Sequence, residues 1–488
     1  MPDSFVPSPQ EILRILPELV LVLAGTLIMV LTPLWRRQGD GRFGVLSLGA
    51  LAAALVATVA AHVHRGPAFQ QMLEVDGFAT FFRLLVIGVG GLTALLSLPY
   101  LRREQAEPGE YHALLLFSVA GQSLMAAANE LIMIFIGLEI SSIASYILAG
   151  YLREDRRATE AALKYFLLGS FATAFLLYGV AWIYGMTGST HLGEIQAALT
   201  VAAPPPSELL VAVAAAMMFA GLAFKVSVWP FQVWAPDVYQ GAPSPVAGFL
   251  SAGPKAAAFA VFLRIFLTAF EPAAERWAAF VWWSALISMT LGNFAALVQS
   301  DIKRLLAYSS IAHAGYVLVA VTAHSEAGAA AAMFYLAAYA LMNVGAFAVV
   351  AHLARKGERY VEVEDFAGLA VTQPGAAALF AIFLLSLIGV PPTAGFFGKF
   401  YVFKAALDAD LVGLTVLGLL NSAVGAYYYL RILVVMYMRE PGEAAASAPA
   451  PTSATRVALW ICAFGTLLLG VWPSLILGSA ERAAAFVR

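Results

Sequence analysis

One cysteine in 488 residues, Cys462, rules out an internal disulfide, and a single thiolate cannot hold an iron–sulfur cluster. Charge is almost as scarce. Lys, Arg, Asp and Glu together make 12% of the chain, about half the share of a soluble domain. With 61% hydrophobic residues and a mean hydropathy of +0.81, a hydrated surface of ordinary size cannot be built. Net charge is −2 and no basic patch interleaves with aromatics, which excludes nucleic acid as a partner. No Walker or dinucleotide-type glycine pattern follows a strand-like segment, so neither a nucleotide nor a metal site is expected. Any redox cofactor must sit on another chain.

What the sequence does have is long apolar runs. At about twenty residues per bilayer crossing, spans are predicted near 12–34, 43–63, 78–100, 112–128, 131–151, 161–186, 208–228, 246–269, 277–298, 302–322, 328–354, 374–404, 409–436 and 456–478. The first run lacks a basic leader and is too long for a signal core, so it is read as a span. The fold class is therefore an all-α polytopic membrane protein of about fourteen helices. Only the Asn129-Glu130 turn divides spans four and five, which leaves thirteen or fifteen open.

Cytoplasmic loops collect Lys and Arg. Loops after odd-numbered spans carry Arg36, Arg37 and Arg42, then Arg102 and Arg103, then Arg153, Arg156 and Arg157. The same parity continues with Lys303 and Arg304, then Arg355, Lys356 and Arg359, then Arg439, whereas even loops offer little beyond Arg65 and Arg276. Both termini are thus expected on the outer face. Thr187–Glu208 reads as an outer loop with Pro204-Pro205-Pro206 and a short interfacial helix at His191–Leu199. Met438–Thr455, rich in Ala, Pro and Ser, reads as a mobile cytoplasmic linker.

A charge at mid-membrane costs at least ~2.5–3.5 kcal/mol on insertion scales and marks a functional candidate. Glu139, Lys225, Lys255, His313 and Lys399 all lie inside apolar runs. A lysine there either snorkels to the interface or faces a polar interior, and a histidine either packs or relays protons. Glu160 and Lys164 share a helix face at i, i+4, the spacing of a simple local pair. Asp301, Lys303 and Arg304 read as surface residues. Trp229-Pro230 follows Lys225, and Pro391-Pro392 precedes Lys399. Proline removes a backbone donor, and in lipid the freed carbonyls need protein or water, so such breaks line wet cavities. Paired breaks in two halves mark the ion site of an inverted-repeat transporter. Lys225 and Lys399 are 174 residues apart, and Lys255 and Arg431 are 176 apart. These spacings fit two inverted five-helix repeats with broken helices 7 and 12. The expected organisation is 1–111 (three helices), 112–270 (helices 4–8), 277–437 (helices 9–13), 438–455 (linker) and 456–488 (helix 14).

Three strings, FKVSVWPFQVWAPDVYQGAPSPVAGFLSAGPKAAAF, DIKRLLAYSSIAHAGY and GVPPTAGFFGKF, resemble the antiporter-like subunits of respiratory complex I. Within that family Pro254-Lys255 and Gly398-Lys399 resemble the N-type branch, the counterpart of mitochondrial subunit 2, and the chain stops too soon after helix 14 for a long lateral helix. The resemblance implies a proton-translocating subunit of an NADH:quinone oxidoreductase in the bacterial inner membrane. It implies that quinone, NADH, FMN and iron–sulfur clusters are bound by partner subunits, that M- and K-type subunits and lipids are its neighbours, and that no cofactor is held here. It pairs Glu139 with Lys225, makes Lys255 the central lysine, and has His313 relay protons toward Lys399. Gln232, seven residues after Lys225, stands where the relatives implied by the resemblance usually carry a histidine. A competing reading is a component of a multisubunit Na⁺/H⁺ antiporter. A structural bundle without a channel is a third, which the paired breaks oppose, and a complex fed by another donor such as ferredoxin has the same signature on this chain.

Overall fold

The computed structural model describes residues 7–35, 41–106, 108–201 and 207–486. Arg36, Arg37 and Pro204-Pro205-Pro206 lie outside the described residues. Apolar runs fold as helices because in lipid a helix satisfies every backbone donor and acceptor internally. The chain opens with α1 (Pro9–Arg14) and α2 (Leu16–Leu31), separated by Ile15 alone, followed by α3 (Arg42–Val63). A two-stranded antiparallel hairpin, β1 (Gly66–Ala68) and β2 (Leu73–Val75), then leads into α4 (Gly77–Glu104). The hairpin was not anticipated from sequence. It bridges to Ala128 and so lies over the turn between α5 (Pro108–Ala127) and α6 (Leu131–Ala149).

Next come α7 (Arg156–Thr187), the expected short helix as α8 (Leu192–Val201), and the interrupted pair α9 (Glu208–Val226) and α10 (Ala235–Gly241). The middle of the bundle is α11 (Ser244–Arg264), α12 (Ala274–Leu297), α13 (Ile302–Thr322) and α14 (Glu326–Leu353). Of these, α11, α13 and α14 are buried on nearly every face, so a polar group on them is deep inside protein. After a short α15 (Leu369–Thr372), a second interrupted pair follows, α16 (Pro374–Ile388) and α17 (Ala394–Asp408). The chain ends with α18 (Val412–Met438), α19 (Glu443–Ala446), α20 (Ser453–Val471) and α21 (Ser474–Ala484). Eleven described helices are long and apolar enough to cross a membrane. Leu16–Leu31, Pro108–Ala127 and the split pair α16/α17 bring the bundle to the fourteen spans expected.

Helix starts are set by side-chain caps: Asp76 for α4, Asp155 for α7, Asp301 for α13 and Ser325 for α14. Packing relies on small residues, as expected where hydrophobicity cannot drive helix association. Gly121 and Gly137 let α5 and α6 touch backbone to backbone: a Cβ on either would approach the other's carbonyl oxygen to 3.0 Å or less.

Two expectations are corrected. Met438–Thr455 is docked, not loose: Arg355 donates to Ala444 O (3.0 Å), Gln373 Nε2 to Ala448 O (3.0 Å), and Ala444 and Ala445 are buried. Asp301 and Lys303 are not surface residues, and Arg304 is partly buried; Lys303 is 1% exposed. Its ammonium donates to Ala242 O (2.6 Å) and pairs with Glu358 (3.0 Å). Glu358 also accepts from Tyr100 OH (2.8 Å) and from the Ser244 backbone N–H and hydroxyl. One carboxylate thereby ties the ends of α4, α11 and α13 to the loop after α14. Lys303 read as solvated in the sequence because its carboxylate partner lies 55 residues away.

Candidate functional site

Lys225 lies near the end of α9, where the helix stops at Ser227 in a left-handed conformation (φ +61°). Its Nζ donates to Ser142 Oγ (2.6 Å) and Tyr146 OH (3.0 Å) and lies over the rings of Tyr146 and Tyr165. Glu139, Ser142 and Tyr146 share one face of α6 at i, i+3, i+7. The lysine therefore docks on the helix that bears Glu139, one turn away from it, and forms no ion pair with it. Glu139 Oε1 is buried without a hydrogen-bond partner among the described residues. The break beyond Lys225 is held by Trp234, whose indole donates to Phe224 O (2.8 Å).

Lys255 follows Pro254 inside α11 and is 2% exposed, so snorkelling is excluded. It donates to the Ser310 carbonyl (3.0 Å) and hydroxyl on α13. Ser310 sits one turn before His313 on that helix. His313 is bracketed by two phenols: Nδ1 contacts Tyr335 OH (2.6 Å) and Nε2 contacts Tyr429 OH (3.2 Å). Both ring nitrogens are engaged with groups that donate or accept, so the imidazole can pass a proton on one side while receiving on the other. Tyr429 OH also contacts Ser309.

Lys399 closes the row. Its ammonium has three donors, and three acceptors meet it: Leu387 O (3.1 Å), Ile388 O (2.7 Å) and Ser422 Oγ (2.7 Å). The two carbonyls are the last of α16, freed because the helix ends at Gly389 (φ +95°) and Pro391 and Pro392 lack N–H groups. A helix C-terminus favours a cation, so the break builds the lysine's seat. Tyr316 lies beneath Nζ, 5.1 Å to the ring centre, and its ring is 5.7 Å from that of His313. The row is thus Lys225 on Ser142 and Tyr146, Lys255 on Ser310, then His313, Tyr316 and Lys399.

The remaining candidates sit apart from that row. Gln232 is buried in the α9–α10 break, with its amide oxygen lacking a described partner. Lys164 pairs with Glu160 (2.7 Å) as the i, i+4 spacing predicts, but equally with Asp237 (2.7 Å), which also binds Arg304 (2.6 Å). Arg431, the spacing counterpart of Lys255, donates to Leu297 O (3.1 Å) at the end of α12 and does not join the row. The sequence reading missed the hydroxyls that seat the lysines. The signal was there for Ser142 and Ser310 in their helical spacing from Glu139 and His313; Tyr335, Tyr429 and Ser422 come from distant helices and gave none.

Against known proteins, residues 128–425, which include Glu139, Lys225, Gln232, Lys255, His313 and Lys399, match the family model described as NADH:quinone oxidoreductase/Mrp antiporter, TM. NADH-quinone oxidoreductase subunit N 1 of Solibacter usitatus is 64% identical over 99% of both chains. The chain belongs to the NADH-quinone oxidoreductase subunit N family. A subunit N relative from Trichlorobacter lovleyi is 42% identical over 97% of both chains. A chain of respiratory complex I from Thermus thermophilus with bound aureothin superposes with a TM-score of 0.81 at 36% identity, covering 95% of this chain and 98% of that one. The subunit N relatives thus align over nearly the whole length, including the helices α2 to α5 that precede the matched segment.

Proposed function

We propose that this chain carries protons across the membrane as a membrane-arm subunit of an NADH:quinone oxidoreductase, along Lys225, Lys255, His313 and Lys399. The observation that carries the reading is His313, held between two phenols and flanked by lysines seated on hydroxyls and carbonyls. In each seat the ammonium is stabilised by neutral acceptors, not by a carboxylate. Its proton can then leave to water without first breaking an ion pair. Glu139, one turn from the Lys225 seat, is the charge whose approach would hold that lysine protonated and whose withdrawal would release the proton. Gln232 holds water beside the first break. Glu160 and Lys164, with Asp237 and Arg304, form the charged cluster at the end of the bundle from which protons are drawn.

The driving force is quinone reduction on partner subunits, which hold NADH, FMN, the iron–sulfur clusters and quinone. M- and K-type subunits and lipids flank this chain, and 112–270 and 277–437 act as two inverted half-channels. The Lys and Arg distribution supports both termini on the outer face of the bacterial inner membrane. Full-length likeness to subunit N chains favours this assignment over an antiporter component. The test is the purified complex in vesicles, with Lys255→Ala beside the unmodified chain. NADH oxidation should acidify vesicles of the unmodified complex, and the variant should pump several-fold less while still reducing quinone. Na⁺/H⁺ exchange without electron input, unaffected by quinone-site inhibitors, would replace this reading with the antiporter one.

A further inference from the structure

A second charged pair lies off the row, in the first helices. Arg83, wholly buried on α4, sits 2.9 Å from Glu18 Oε1 on α2, and Ser123 on α5 donates its hydroxyl to the same oxygen. Removing such a pair from water is expensive unless its remaining donors and acceptors are satisfied. They are not. The Arg83–Glu18 contact is close enough for an ion pair but angled away from a hydrogen bond, and Arg83 Nε, Nη1 and Nη2 and Glu18 Oε2 have no hydrogen-bond partner among the described residues. Buried polar groups in that condition are where internal waters reside.

The stretch of α5 that carries Ser123 also reaches the polar row through its next residue. Ser123 neighbours Gln122, which donates to Ser118 Oγ (3.1 Å) and more weakly to Ser141 Oγ (3.4 Å), next to the Ser142 that seats Lys225. The Gln122 oxygen, also unpartnered, lies against Gly253, where a Cβ would come within 2.7 Å, two residues before Lys255. In the other direction, Glu18 and Arg83 stand within two turns of the starts of α2 and α4, and Ser123 near the end of α5, close to the hairpin at that face.

We propose that Glu18, Arg83 and Ser123 form a hydrated proton-exchange site, a branch from the Lys225–Lys255 region to the membrane face covered by the β1–β2 hairpin. A water on the Gln122 side, taking up a proton from the lysine row as it gives one up, protonates the Glu18 carboxylate and forms its O–H. The carboxylic acid then gives that proton to a water on the hairpin side, and Arg83 stabilises the anion restored. No electron moves. The branch rests on the proton-carrying reading above.

The experiment uses the assembled complex in vesicles with three variants: Glu18→Gln, the apolar pair Glu18→Leu with Arg83→Met, and Lys255→Ala. Loss of a positioned proton-transfer group predicts a fall of roughly tenfold or more in pumping for both Glu18 variants, with quinone reduction in the absence of a proton gradient retained. An apolar pair of similar volume restores a merely structural clamp. Wild-type pumping by that double variant therefore overturns the branch. If Lys255→Ala alone is defective, only the branch fails; if all three pump normally, the proton-carrying reading fails with it. Should the Glu18 variants not assemble, a density map of the unmodified complex decides: ordered water on Arg83 Nη1 and Glu18 Oε2 supports the site, and a dry contact overturns it.

Discussion

Lys399 is seated by three acceptors, two of them carbonyls at a helix end, and this geometry separates a carrier from a fixed charge. Arginine keeps the charge but does not release a proton near neutral pH. Lys399→Arg should therefore lose pumping almost as fully as Lys399→Ala, measured as protons moved per NADH in assembled complex. Full activity with arginine would reduce Lys399 to an electrostatic role. Gln232 invites the opposite test. An amide holds water without titrating, and its oxygen has no described protein partner. Gln232→Leu should lower turnover, while Gln232→His, which keeps a hydrogen-bonding side chain, should be tolerated. Unchanged pumping in the leucine variant would leave position 232 a packing role beside Trp234. The five ionisable candidates were legible in the sequence because charge in an apolar run is conspicuous. Their seats were not: serine and tyrosine are ordinary in such helices, and which hydroxyl meets which lysine depends on how α6, α13 and α18 pack.

Among elements, the two breaks share prolines but are held differently. Trp234 takes the Phe224 carbonyl in one, and Lys399 takes the Leu387 and Ile388 carbonyls in the other. The single run 374–404 could not reveal that its lysine caps its own broken half, since that requires Gly389 in a left-handed turn. A side chain there costs about 1–2 kcal/mol in backbone strain, and its Cβ would meet the Lys399 side chain at 3.1 Å. Gly389→Val should thus mimic part of the Lys399→Ala defect with the lysine intact. Normal pumping would show that the seat tolerates displacement. The Glu358 clamp gives a stability prediction. Burial pushes its carboxyl up, but the Lys303 ammonium and two hydrogen bonds from Ser244 outweigh that and hold it below the ordinary carboxylate range. A lowered folded-state value means the stabilisation is present above about pH 4.3, the ordinary glutamate value, and drains away as pH falls below it. Glu358→Gln leaves Lys303 buried and unpaired, a loss on the order of 3–5 kcal/mol. Its thermal midpoint at neutral pH should drop, and the gap to the unmodified chain should narrow in acid. A pH-independent gap would mean the amide replaces the carboxylate's hydrogen bonds and charge is irrelevant.

For the molecule as a whole, hydropathy counted the spans to within one, because a bilayer sets a minimum apolar length for each crossing. It could not order the helices in space, and that order is what puts α11, α13 and α14 at the centre and strings the lysines together. If the row works in series, each member limits the same flux. Lys255→Ala and Lys399→Ala sit on different helices and share no direct contact, so independent routes would give additive losses in free energy. A single route predicts strong non-additivity: the double variant should pump hardly less than the worse single one, as when residues act as one unit. His313→Ala supplies the third corner, since it removes the imidazole between Tyr335 and Tyr429 while leaving both lysines seated. Its loss should not deepen that of either lysine variant. Additive losses across the three would instead mean that the Lys255 and Lys399 seats each serve a complete route of their own across the membrane, with His313 no more than a packing residue between them.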